Sequence, residues 1–537
     1  MLLLRPHLFL LACLAGAPLA ACATDVDLDR DPAVAPDGPA LSEVGAIAPA
    51  PAPPTALPGG EFSTQSQCGP TWDAQPVEQY NGAAGIPTYF VAYHESRVGY
   101  HVDLGCSGTL ISDDLFLSAG HCDYAVGHTV RFDYQIAPNG TARATRDFNV
   151  TAVLEQEDNG TWDYAIVRLA NSPGREYGHA SIAAVDPPAG SRVTIIGHPA
   201  GRAKEIHAGP VFDFPGGTWF RHQIDTVGGN SGSGVLNDHG QLVGIHTDAG
   251  CGVTTPIGGN RALRMSQLIP HSPTLTALTR GKVLWRYGST PFVSLWTVDA
   301  AGALLSHAGF NPGGAWSPLT YSNNRLVWRN SDGRISYWTL NDANVHLTYA
   351  ESGPIAGWTA VSAANDRILW HNSSTNSISL WTVNSFGNYV GHVEHSISAG
   401  WTPVNYANNH ILWRHTDGLT SLWRVDDAGN YVSAIDYNPG AGWAPLSYEN
   451  GQLLWRHIDG RISVWNLTRD NTLLNYTVNG PVAGWTALAM SDRRLAWRES
   501  SGAYSIWNVN GYTNFLSDYL HSVGLDWTPV SIAGARP

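Results

Sequence analysis

Three short stretches of this 537-residue chain hold side chains that nucleophilic chemistry needs. The first runs Cys106-Ser-Gly-Thr-Leu-Ile-Ser-Asp-Asp-Leu-Phe-Leu-Ser-Ala-Gly-His121-Cys122. Leu110-Ile111 and Leu115-Phe116-Leu117 read as two short strands joined by the turn Ser112-Asp113-Asp114. That hairpin delivers a histidine beside a cysteine, and an imidazole held within hydrogen-bond reach of a hydroxyl can serve as a general base. Cys106 and Cys122 could cross-link it, closing a loop of about 15 residues worth about 3 kcal/mol by chain entropy. The second stretch, Trp162-Asp163-Tyr-Ala-Ile-Val-Arg-Leu169, opens an apolar strand with a carboxylate. A partly buried acid needs a partner, and the His121 imidazole is the candidate. The third is Asp225-Thr-Val-Gly-Gly229-Asn-Ser231-Gly-Ser233-Gly234. Glycines let backbone N–H groups turn toward a ligand. Gly229 and Ser231 are the candidate donors for an oxyanion hole.

The order His, Asp, Ser and the signatures Ser-Ala-Gly-His-Cys, Asp-Tyr-Ala-Ile-Val-Arg-Leu and Gly-Asn-Ser-Gly-Ser resemble those of trypsin-like serine proteases. Gly-Gly-Asn-Ser-Gly-Ser, followed by Gly244-Ile245-His246-Thr247, is most similar to the bacterial glutamyl-endopeptidase (staphylococcal V8-like) branch. The resemblance covers about 200 residues and implies a two-barrel chymotrypsin-like fold. It makes Ser231 the nucleophile, His121 the general base and then acid, and Asp163 the group that fixes the His121 tautomer. Ser233 is the rival nucleophile; Ser231 has the glycine spacing of the pattern. The resemblance also implies a Cys106–Cys122 bridge, which leaves Cys68 to pair with Cys251.

Two departures accompany the resemblance. Asn230 precedes the nucleophile where trypsin has Asp, and no Ile-Val-Gly-Gly activation site appears, so any maturation uses another device, with residues 60–85 the place to look. The cues for the bond cut conflict. Asp225 stands where trypsin carries the carboxylate that selects Lys or Arg. His246, with Thr226 and Thr247 as hydroxyl donors, matches a pocket that holds Glu or Asp. The sequence favours Glu or Asp and leaves Lys or Arg, and then small or apolar residues, as the alternatives.

The rest of the chain positions this machinery. A chain of this length needs more than one core. Charged residues at 14%, 57 glycines and 21 tryptophans point to an all-β protein. The net charge of −14 argues against nucleic acid as a partner. Residues 1–21 read as an export signal, with Arg5 before the apolar run Leu8 to Leu14. The ending Leu19-Ala20-Ala21-Cys22 resembles a bacterial lipobox, which implies lipid on Cys22, a membrane as partner and a cell-surface location. Residues 22–60, with eight prolines from Pro32 to Pro58, cannot bury a core and read as a tether or pro-segment. Four cysteines remain, Cys68, Cys106, Cys122 and Cys251, an even number in an exported chain that allows three connectivities. No zinc-spaced Cys or His pattern appears, and neither a metal nor a cofactor is expected.

A protease domain over 61–270 precedes a repeat over 271–537. Eighteen of the 21 tryptophans fall in the repeat, in three series that begin at Trp285, Trp296 and Trp316 and recur every 42 or 43 residues. Six units of four short strands suggest a six-bladed β-propeller. The run Leu275-Thr-Ala-Leu278 is expected as an extra strand helping to seal the ring. The two halves are expected to fold on separate cores. Most tryptophans should fill blade cores, with the Gly-Trp series reaching solvent. The pattern is similar to Trp-rich repeats on exported bacterial enzymes and, in architecture, to lectin propellers, which implies a glycan or surface ligand. The expectation is thus an exported serine endopeptidase acting on proteins or peptides. The alternative is a non-catalytic adhesin or lectin that retains a protease scaffold.

Overall fold

The structure, a computed structural model, describes residues 66–252, 258–491, 493–510 and 514–534. The signal at 1–21, Cys22 and the tether at 22–60 lie outside the described residues. Among the described residues no helix is long and apolar enough to cross a membrane.

Two six-stranded barrels come first. Val98–His101, Cys106–Leu110, Leu115–Ser118, Asp163–Leu169, Arg146–Asp158 and Thr129–Phe132 close one of them. The second runs Arg192–Gly197, Glu205–Asp213, Trp219–His222, Asn260–Arg264, Gln241–Asp248 and Gly234–Asn237. It closes because Glu205–Asp213 and Gly234–Asn237 both pair with Arg192–Gly197. The strand period of two decides which core each side chain joins. Phe116 points into the first barrel with Val130, Phe132 and Val167, while its neighbours Leu115 and Leu117 face a second cluster with Ile196, Leu236, Ile245 and Leu263 from the other barrel. That shared layer holds the barrels together. A Cβ on Gly108 would lie 2.3 Å from the Phe116 ring, so glycine there is what lets Phe116 fill the barrel. Phe116→Ala should cost about 3–5 kcal/mol.

Six four-stranded antiparallel sheets follow. The innermost strands, Trp316–Ser322, Thr359–Ala364, Trp401–Ala407, Trp443–Glu449, Trp485–Ser491 and Trp527–Gly534, line the centre. Each sequence unit is offset from the blade by one strand, because its last strand opens the next sheet. The ring closes where Trp527–Gly534, at the end of the chain, pairs with Gly281–Tyr287, at its first blade. The strand expected over 275–278 is absent: Pro273–Leu278 is a short helix. Ser272 caps it by accepting from the Leu275 N–H, and Pro273 takes the first helical position, where its missing donor costs nothing. Leu275 and Leu278 pack into the layer between the barrels, so the helix belongs physically to that core.

Trp285, Trp328, Trp370, Trp413, Trp455 and Trp497 are each at most 1% exposed. Each lies against the half-buried indole of the next strand, as Trp413 does on Trp423 at 4.9 Å. The Gly-Trp series and the series from Trp296 are both half-buried, so solvent contact is shared between them.

Candidate active site

His121 sits on a single 3-10 turn, Gly120–Cys122, at the end of Leu115–Ser118. Asp163 opens the neighbouring strand of the same barrel, where Ser118 pairs with Ala165. The pairing brings the two side chains together: His121 Nδ1 lies 2.7 Å from Asp163 Oδ2, and the His121 backbone N–H donates to Oδ1 at 3.0 Å. A carboxylate only accepts, so Nδ1 carries the proton and Nε2 keeps a lone pair, the form a general base requires. The Asp163 hydrogen bond raises the His121 pKa above its ordinary 6.5, against the opposing effect of burial. The Cys106–Cys122 disulfide forms beside the turn and ties it to the preceding strand.

Ser231 lies on the loop before Gly234–Asn237. Its carbonyl accepts from Ser107 N at 2.9 Å and stands 4.0 Å from the Cys122 sulfur, so the loop rests on the strand base beneath His121. Ser231 is half-buried, whereas the Ser233 hydroxyl is fully buried and makes no hydrogen bond. Access therefore separates the two serines. Gly229 has φ +99°, and a Cβ there would lie 2.4 Å from the His198 carbonyl. Among the described residues the loop N–H groups of Thr226, Asn230, Gly232 and Ser233 are engaged with carbonyls; those of Gly229 and Ser231 are not in that set. The Asn230 side chain is fully buried.

The pocket residues have distinct fates. Asp225 accepts from Cys68 N at 2.7 Å and Asp73 N at 3.1 Å, so both oxygens are committed to the backbone of the N-terminal segment. Burial raises its pKa, and these two N–H groups pull the other way. The Cys68–Cys251 disulfide clips that segment in place. Thr226 accepts at its hydroxyl from Asn260 Nδ2 at 3.0 Å, which leaves its proton free to donate. The Thr247 hydroxyl donates to Asp248 at 3.1 Å.

His246 is buried, and its Nδ1 lies 3.3 Å from His222 Nε2. The Ile224 N–H donates to His222 Nδ1 at 3.3 Å, so His222 carries its proton on Nε2 and donates to His246 Nδ1. His246 then holds its own proton on Nε2, and its bond to the Arg261 backbone carbonyl opposes the effect of burial. Burial lowers His246 to about 4 and His207, further along, to about 3, while His222 is held well below its ordinary value. Sequence reasoning missed His222, His207 and Asn260. Asn260 is a hub: Nδ2 also donates to Ser66 O and Ile224 O, and Oδ1 accepts from Gly250 N and Cys251 N. The pairing His222↔Asn260, across strands almost 40 residues apart, is the only signal, and it exists in space rather than along the chain.

Comparison with known proteins finds likenesses to peptidases. The family described as Trypsin-like peptidase domain matches residues 106–245. A Bacillus subtilis (strain 168) protein named extracellular metalloprotease is 28% identical over 171 residues, 27% of this chain and 51% of the relative. The chain thus spans about half the length of the curated relative it matches. Among solved structures, a Glu endopeptidase in complex with MPD is 24% identical with TM-score 0.31, covering 38% of this chain and 96% of its own. Neuropsin, a serine protease expressed in the limbic system of mouse brain, is 17% identical with TM-score 0.29, covering 34% of this chain and 94% of its own. Residues 106–245 thus match the model of the trypsin-like peptidase domain, and they lie in a two-barrel fold ahead of a six-bladed propeller.

Proposed function

We propose that the chain is an exported serine endopeptidase that cleaves after Glu or Asp through His121, Asp163 and Ser231. The observation that carries the reading is the His121–Asp163 hydrogen bond, with the half-buried Ser231 held near it by its carbonyl, 4.0 Å from the Cys122 sulfur. In the first half-reaction Ser231 Oγ attacks the peptide carbonyl and its proton passes to His121 Nε2. Negative charge develops on the carbonyl oxygen, where the Gly229 and Ser231 N–H groups receive it. His121 returns the proton to the departing amine. Water then repeats the sequence on the acyl-enzyme, and Ser231 is restored.

The preference rests on Asp225 and His246. A carboxylate whose two oxygens already bind backbone N–H groups is a poor partner for a substrate Lys or Arg. His246, its tautomer set through His222, would turn its Nε2 proton from the Arg261 carbonyl to the substrate carboxylate, with the Thr226 hydroxyl as a second donor. Cleavage of a peptide library reads this directly. Cleavage after Glu, lost in His246→Ala, supports it; cleavage after Lys or Arg, lost in Asp225→Ser, overturns it.

The propeller reading follows from a cavity of about 870 Å³ at the blade that carries Trp443, lined also by Trp485, Arg414, Arg456 and His457. Indole faces beside cationic donors suit a sugar ring, so this half targets the enzyme to a glycan-bearing surface. A glycan array probed with full-length Ser231→Ala protein tests it, and binding that persists in Trp443→Ala removes the cavity from the account. Lipid on Cys22 anchors the whole to a membrane; unchanged detergent partition of Cys22→Ser would remove the anchor.

A further inference from the structure

The first barrel holds a second group of chemistry-bearing side chains that the triad does not use. His101 ends the strand Val98–His101, Asp103 lies in the turn that follows, and His128 directly precedes Thr129–Phe132. The pairing His101↔Val130 draws these segments together. His101 Nε2 is 3.1 Å from His128 Nδ1 and 3.9 Å from Asp103 Oδ2, and the three atoms all lie within 4.8 Å of one another. We propose that His101 Nε2, His128 Nδ1 and Asp103 Oδ2 form a three-ligand site for a divalent transition metal, with Zn²⁺ the best fit.

Donor chemistry selects the ion. Two imidazoles and one carboxylate suit Zn²⁺ and its neighbours, whereas Ca²⁺ and Mg²⁺ want oxygen throughout. With metal–ligand bonds of about 2.0–2.2 Å, tetrahedral ligands stand about 3.3–3.5 Å apart. Two of the separations, 3.1 and 3.9 Å, bracket that spacing; the His128–Asp103 pair, within 4.8 Å, has to close further, and the exposed Asp103 side chain is the one free to move. Without a cation the site is over-subscribed. His128 Nδ1 has one in-plane lone pair, yet both the His101 Nε2 contact and the Ala125 N–H at 3.2 Å aim at it. A cation between the nitrogens takes the lone pairs of both rings. Ala125 is exposed, so water can receive its N–H instead.

The carboxylate is already oriented, since Asp103 Oδ2 accepts from Thr129 N at 2.7 Å. Its side chain is 42% exposed, which leaves the fourth coordination position open to water. His101 Nδ1 is buried with no hydrogen-bond partner. The ring therefore ligates without the supporting acceptor that tightens most metal-bound histidines, and affinity should lie in the micromolar range. The other close group, Cys106, His121 and Cys122, offers no thiolate because its cysteines are bridged.

The site would brace the active hairpin without joining the chemistry. The His101 ring stacks on Tyr124 at 4.0 Å, and Tyr124 is two residues past Cys122. A metal clip there should raise the unfolding temperature.

Chelator-stripped full-length protein should be titrated with Zn²⁺ by calorimetry and with Co²⁺ by visible absorption. The expected result is one site per chain, an intense tetrahedral Co²⁺ spectrum and a Zn²⁺-dependent rise in melting temperature. His128→Ala and Asp103→Asn should each weaken binding at least about tenfold and abolish that rise. Both change the solvent side of the cluster, so one folded variant suffices. His121→Ala should bind as the parent does. Absent binding, full binding in His128→Ala and Asp103→Asn, or loss of binding in His121→Ala would each overturn the proposal, leaving a hydrogen-bonded histidine pair only.

Discussion

Asn408 of the propeller donates through Nδ2 to Asp113 Oδ1 of the first barrel at 3.0 Å, with both residues buried. Asp113 belongs to the hairpin turn whose far end carries His121. Arg175, beside Asp113, reaches Asp366 of the propeller at 2.9 Å. Arg469 meets Asp133 at 2.8 Å, and Tyr177 donates to the same Asp133 at 2.7 Å. The propeller is therefore seated on the back of the hairpin that leads to His121 through polar, shape-specific contacts.

The two halves should consequently unfold together. Asn408→Ala removes a buried hydrogen bond to Asp113 and should cost about 1–3 kcal/mol. Calorimetry should show one cooperative transition that moves as a whole in this variant. Two transitions, with only the propeller's shifted, would mean the joint is passive. Removing the chain from 275 onward takes Leu275 and Leu278 out of the core between the barrels as well as the Asp113 and Asp133 partners. Such a truncation should lose stability even on soluble peptides.

Turnover should have an acidic limb set by His121. The base must be neutral, and the Asp163 bond raises its pKa above 6.5, so kcat/KM should fall as pH drops through a value above 6.5. Asp163→Asn should move that limb downward and cost on the order of 10⁴-fold in kcat. A limb left in place would assign it to another group.

Stability should show a different pH signature. His198, His207, His246 and His410 are buried neutral, with burial pushing them to about 3, 3, 4 and 4. Their folded values lie below the unfolded 6.5, so the unfolded chain binds more protons as pH falls. Stability should be complete above about 6.5 and decline from there toward about 3. Denaturant midpoints at pH 8, 6 and 5 (about these values) check the sign. A midpoint that rises toward acid would contradict it.

Substrate binding should couple to His246. A carboxylate beside it raises its pKa, so complex formation takes up protons in mildly acid solution. KM for Glu substrates should fall as pH is lowered, even while kcat drops, and the trend should vanish in His246→Ala. A KM that is flat with pH would remove His246 from the pocket.

What the sequence discloses here is what lies close along the chain. His121, Asp163 and Ser231 each sit in a contiguous signature, and the repeat spacing of 42 or 43 residues reveals six blades. The helix at 273–278 was misread because four residues of mixed polarity carry no clear period, while the informative Ser272-Pro273 cap stood just outside the run. His222 and Asn260, Asn408 and Asp113, and His101 and His128 meet only through strand pairing or docking, so no local pattern announces them. Asp225 was visible, but its orientation depended on the Cys68 segment folding over it.

The central claim is that Ser231, activated by His121, is the nucleophile, and reaction with a fluorophosphonate probe followed by peptide mass analysis tests it most directly. The account predicts one adduct per chain, on the peptide containing Ser231. That adduct should be absent in Ser231→Ala and His121→Ala and retained in Ser233→Ala, with peptide hydrolysis falling on the order of 10⁴-fold or more in the first two. An unlabelled wild-type protein, or an adduct that survives in Ser231→Ala, would contradict it.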